Sequence, residues 1–150
     1  MSEEEERARV ALANRVRLIT ITGDEVIDDE LDAVRVKARE SVVETPFTGA
    51  GNLAVGTHKL APGAAFVLEE IELHLSAAPT TGTQNLVITK DDGVGEAYDL
   101  AILTIDLVAN AVTDLIIKPA KKCKADDVIT AAWTNTDGRT YGLVFKHRLL

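Results

Sequence analysis

Residues 98–150 read YDLAILTIDLVANAVTDLIIKPAKKCKADDVITAAWTNTDGRTYGLVFKHRLL, and this stretch decides the fold. Four apolar runs, Tyr98–Val108, Val112–Lys118, Val128–Thr134 and Tyr141–Arg148, are separated by turn signals. Runs of this length, rich in β-branched residues, read as strands. A helix over residues 98–117 is the competing reading, because apolar density there is high. Asn110 interrupts it, and Asp99, Thr104, Asp106 and Thr113 do not share one polar helical face. Asp137-Gly138 sits between Val128–Thr134 and Thr140–Lys146, which predicts a tight hairpin, since Gly accepts positive φ without steric cost.

The partners for these strands lie upstream. Ala65–Ser76 alternates from Glu70 on, with Ile71, Leu73 and Leu75 on one side and Glu70, Glu72 and His74 on the other. Gln84–Lys90 is a further strand and Thr57–Leu60 a short one. Turns are marked by Pro62-Gly63, by Pro79 to Gly82, and by the glycines of Asp91–Glu96. From Thr57 onward this makes about seven to eight strands, which predicts an all-β fold, an antiparallel β-sandwich of the jelly-roll type, over residues 57–150. Aromatic residues are only 4%, so the core is built from Val, Ile, Leu and Ala, with Trp133 as its one large ring system. Tyr98 and Tyr141 both start strands and read as rim residues, ring inward and hydroxyl outward.

Residues 1–56 read differently, as an N-terminal arm and linker that is extended and partly helical. Ser2 and Glu5 suit a capping box, and acidic Glu3–Glu6 ahead of Arg7, Arg9 and Arg15 suits a helix dipole. Val16–Thr22 reads as a strand, and Ala33–Glu40 alternates Val34 and Val36 with Arg35, Lys37 and Arg39. Pro46 and three glycines make residues 41–56 a linker. Residues 1–44 carry 12 acidic and 7 basic side chains, a density that suits a solvated or partner-bound segment better than half of a core.

The net charge of −8 argues against nucleic acid and against an anionic membrane as partners. The first ten residues do not resemble a signal peptide, and no apolar run approaches the roughly 20 residues of a membrane span. Cys123 alone cannot form an intrachain disulfide.

No catalytic motif appears in the sequence, so no enzyme activity and no cofactor is expected. His58, His74 and His147 lack metal-ligand spacing. Asp91, Asp92, Glu96 and Asp99 could offer oxygens to Ca²⁺, against the plainer reading of a polar turn. Cys123 is flanked by Lys121, Lys122 and Lys124, which can activate a thiol, yet the segment reads as an exposed loop with no acid–base partner nearby. Lys118, Lys121, Lys122 and Lys124 form the one basic cluster, suited to an acidic partner or to solvent. A carboxylate pair on facing strands would suit a glycosidase, but aromatic platforms for sugar are scarce.

The pattern from IELHLSAAPTTGTQNLVITK through YDLAILTIDL, VTDLIIKP and DDVITAAWTNTDGRTYGLVFKHR covers about residues 71–148. It resembles structural proteins of tailed-bacteriophage virions, of the jelly-roll capsid decoration (cement) type. That resemblance implies a non-enzymatic protein that binds and stabilises the major capsid protein lattice. It implies a homotrimer, made in the host cytoplasm and placed on the capsid surface of the virion. The alternative is a tail, fibre or spike-tip domain that binds the host. The family has no catalytic residues to carry over. Partner contacts are then expected from the arm, at Val16, Leu18, Ile19, Ile21, Val34 and Val36, which could add strands to another subunit's sheet edge, and from the lysine cluster.

Overall fold

The computed structural model describes residues 41–150. The helix expected at Ser2–Asn14 and the strands expected at Val16–Thr22 and Ala33–Glu40 lie outside the described residues. From Val43 onward the regular structure is β, apart from one short 3-10 turn. The strands are β1 (Val43–Gly49), β2 (Lys59–Leu60), β3 (Phe66–Leu75), β4 (Asn85–Asp91), β5 (Leu100–Asp106), β6 (Asp114–Ile117), β7 (Lys121–Cys123), β8 (Val128–Ala132) and β9 (Tyr141–Leu149). They form two sheets. The first runs β1-β9-β3-β6, with β7 also paired to β3, and the second runs β2-β8-β4-β5. Every pairing is antiparallel.

Alternation explains which faces meet. On β9, Tyr141, Leu143, Phe145 and His147 are buried, while Gly142, Val144, Lys146 and Arg148 face outward. On β3, Leu68 and Ile71 both point inward although they are an odd number of residues apart. The register slips between Leu68 and Glu70, so that Leu68 pairs with His147 and Glu70 with Lys146. Glu69 is the extra residue. This bulge is what lets the sequence LEEI keep both apolar residues in the core. From the second sheet come Leu86, Ile88, Ile129, Ala131 and Trp133. Trp133 is buried in a largely aliphatic core as expected, but it is not the one large ring there: Phe66, Phe145 and Tyr141 are buried with it. Trp133 is 2% exposed, and its backbone exchanges two hydrogen bonds with Leu53.

The structure corrects three expectations. Residues 43–49, expected as linker, are β1 in full register with β9, so the β unit begins at Val42 and not at Thr57. Pro46 misled because proline disfavours strands, but among the described residues β1 is an edge strand, where a missing N–H costs no ladder bond. Asp137-Gly138 is a turn, with Gly138 at φ 61° and its amide donating to the Asn135 carbonyl at 3.1 Å. It does not close a hairpin: β8 belongs to the second sheet and β9 to the first, so the turn is a corner between sheets. Tyr141, expected on the rim, is buried, whereas Tyr98 sits exposed in the short 3-10 turn before β5.

The corner is held by its acid. Asp137 accepts hydrogen bonds from the Thr80 amide at 2.7 Å, the Thr81 amide at 3.2 Å and Gln84 Nε2 at 2.8 Å. The Thr81 side chain and the Thr80 amide hold its carboxyl far below the usual carboxylate range, outweighing desolvation. A carboxyl depressed on folding stabilises above its unfolded pKa and loses that contribution as pH falls toward the folded one. Asp137→Ala is therefore expected to lower the melting temperature by several degrees at pH 7. The gap should narrow as pH drops below about 4. Thermal melts of both proteins across pH check this; a gap that stays constant would show that the charge is not what matters.

Candidate functional site

Of the residues singled out for partner contact, Val16, Leu18, Ile19, Ile21, Val34 and Val36 lie outside the described residues. The lysines divide. Lys118 follows β6 and pairs with Glu70 at 3.2 Å. Lys121 and Lys122 are not in a loop: they lie on β7, opposite Leu68 and Val67. Lys124 is exposed just beyond it, its amide donating to Asp127 Oδ2 at 2.6 Å. The cluster is thus an edge of the first sheet, broken between β6 and β7 at Pro119 and Ala120, which has φ 45°. Lysines and a chain break on an edge discourage pairing with other strands. Cys123 is correspondingly buried, opposite Phe66, and not exposed as its charged neighbours suggested. Burial pushes its thiol up, which makes it a poor nucleophile.

Sequence reading missed the charged row across the outer face of the first sheet. Register places Glu44, Lys146 and Glu70 side by side on β1, β9 and β3. Lys146 Nζ donates to Glu72 at 2.6 Å and to Glu70 at 2.9 Å, and lies 3.7 Å from Glu44. Its ammonium is raised above the usual lysine value, first by Glu72 and then by Glu70. Glu70 is lowered to about 2, chiefly by Lys146. Glu44, Glu70 and Lys146, with Val42, Glu69 and Lys118, line a shallow cleft of about 450 Å³. Alternating Glu on β3 and Lys on β9 was the available signal, but the register that unites them is not local.

The acidic turn between β4 and β5 is partly as expected. Carboxylate oxygens of Asp91, Asp92 and Asp99 lie within 4.8 Å of one another, while Glu96 stands outside the group. Asp91 accepts from the Gly93 amide at 2.7 Å and Asp92 from the Val94 amide at 3.0 Å, so both also order the turn. Desolvation pushes the Asp99 carboxyl up, and the charges of Asp91 and Asp92 add to this. Ca²⁺ takes about six to eight oxygens, so three carboxylates would need carbonyls and water to complete a site. Val94 and Tyr98 on the same turn are 72% and 67% exposed.

His58 ties the loop before β2 to the first sheet. Its Nδ1 accepts from the Ala54 amide at 3.0 Å, and its Nε2 lies 3.1 Å from the Tyr141 hydroxyl. The ring meets Phe47 edge-on at 5.4 Å. These contacts fix the loop against β1 and β9. His74 pairs instead with Asp114 on the outer face, and His147 is buried beside Phe66, so the three histidines are dispersed.

No protein-family model matches the chain, and no curated protein matches it.

Proposed function

We propose that this chain is a non-enzymatic structural protein of a tailed-bacteriophage virion, a jelly-roll head decoration protein that binds the major capsid protein. Strand order is the observation that supports it. Taking β6 and β7 as two halves of one strand, the chain pairs β1 with β9, β2 with β8, β3 with β6 and β7, and β4 with β5. That is one long hairpin rolled up, its closed end the turn between β4 and β5. Rolling it brings β9 against β3 and β8 against β4. This order supports the jelly-roll reading, a fold frequent in capsid architecture.

The rest of the surface suits a passive role. Lys118 and Lys146 on the outer face are committed to carboxylates. These pairs tie up groups that acid–base chemistry would need, and the exposed Lys118 pair stabilises little. Trp133 is buried and is no sugar platform, which counts against the host-binding alternative. A decoration protein must also hold a neighbour, and the β-branched runs within residues 1–40 have the composition for it.

Purified protein mixed with expanded capsids of its own phage is expected to co-sediment at a fixed stoichiometry and to raise the capsid melting temperature. A protein that stays in the supernatant at all ratios would overturn the reading.

A further inference from the structure

We propose that the outer edge of β5 is the docking site for residues 33–39 of a second copy of this chain. The proposal stands whether or not the protein binds a capsid. Among the described residues the two sheets have four edges, and they are not alike. β1 carries Glu44 and Pro46. β2 is two residues long. The opposite edge of the first sheet is split into β6 and β7, with Lys118, Pro119, Lys121 and Lys122 along it. Each of these is a known guard against strand addition. β5 is different. It is seven residues, LAILTID, with no proline and no lysine, and among the described residues it pairs only with β4. The one guard it does carry is the bulge that leaves Ile102 as the extra residue.

The edge is also incompletely covered. Leu103 and Ile105 pair with Ile88 and Leu86, which are fully buried, yet both remain only partly buried at the margin of the sheet. A strand added here would extend the inner face over them.

Charge selects the occupant. Asp91, Asp92, Glu96 and Asp99 stand at the start of β5. The nearest cation, Lys90, is engaged by Asp127 at 2.8 Å. A second β5 edge, laid antiparallel, would set Asp106 beside that acidic turn and bring no cation to offset it. Residues 33–39, AVRVKAR, carry three cations and no acid, with valines at alternate positions. Laid antiparallel, as every other pair in the fold is, Val36 falls opposite Leu103 and Val34 opposite Ile105. Arg35 and Lys37 then face solvent, and Arg39 is carried toward Asp99. Main-chain bonds supply the affinity of such an added strand, and side-chain pattern and charge its register.

The donor is a second copy of this chain, which the concentration dependence below tests. A head-to-tail contact of this kind closes into a ring or continues as a chain of subunits.

The test is amide hydrogen exchange on full-length protein over a concentration series. In wild type, exchange over residues 100–106 is expected to slow by roughly tenfold or more as concentration rises, in step with oligomer mass by light scattering. The variant R35E/K37E/R39E, altered outside the β unit, should keep the wild-type melting temperature, stay a monomer and exchange β5 quickly. Adding a peptide of residues 33–40 to that variant should restore the protection, and Thr104→Lys on the exposed face of β5 should weaken it by repelling Arg35. Protection that falls on residues 43–49 or 114–117 instead, that ignores concentration, or that survives the triple charge reversal would overturn the proposal.

Discussion

Replacing Trp133 with Ala is expected to cost about 3–5 kcal/mol of stability, the range for emptying a buried aromatic site. The ring is 2% exposed and meets Tyr141 edge-on at 6.0 Å. Its Nε1 donates to Gln84 Oε1 at 3.2 Å. That bond ties the centre of the core to the corner at Asp137, because Gln84 also donates to that carboxylate. Alanine therefore removes packing between the sheets and leaves a buried acceptor unpaired. Trp133→Phe separates the two effects. It keeps most of the ring volume and gives up the hydrogen bond, so a loss of about 1–3 kcal/mol is expected. Urea denaturation followed by circular dichroism measures both. A change under about 1 kcal/mol for Trp133→Ala would mean the site collapses around the smaller side chain, or that the ring is not a core element.

Strand positions were legible because each depends on a local pattern. The alternation of Ile71, Leu73 and Leu75 with Glu70, Glu72 and His74 matches the two faces of β3, and the polar breaks at Asn110 and Asp91–Glu96 match turns. Asn110 ends the run before Val112 by donating from Nδ2 to the Asp106 carbonyl at 2.7 Å. Partner choice was not legible. The residues around Asp137-Gly138 look the same whether the turn joins neighbours in one sheet or crosses between two. What decides is the affinity of β9 for β3 and β1, set by side chains some 70 to 100 residues away in sequence.

The surface followed the same rule. Charge density marked the lysines of residues 118–124, but nothing local revealed that β7 would pair with β3 and bury Cys123. The acidic turn was legible as a cluster because its members are close in sequence. That β5 pairs only with β4 among the described residues was not, since it depends on which strands take that side.

Asp127→Ala is expected to be the second large loss, about 3–5 kcal/mol, the range for breaking a buried ion pair. The carboxylate side chain is 2% exposed and lies 2.8 Å from Lys90 Nζ, whose own side chain is 19% exposed. Burial works to raise the Asp127 carboxyl, but Lys90 and the Lys124 amide outweigh it, and the group sits below its usual value. Lys90 is raised in turn, first by its hydrogen bond to Asp127. The pair's contribution is therefore fully present above the unfolded carboxyl value of about 4 and is lost as pH falls through the lower folded value. Asp127→Asn keeps an acceptor for the Lys124 amide and should cost less than alanine. Lys90→Met strands a buried carboxylate without its cation, so its cost should shrink on acidification as Asp127 takes up a proton. The double variant D127A/K90M closes a cycle. If its cost is well below the sum of the single losses, the penalty lies mainly in the unpaired charge. Full additivity would show that Asp127 acts through the Lys124 amide alone, as a clasp on the turn into β8.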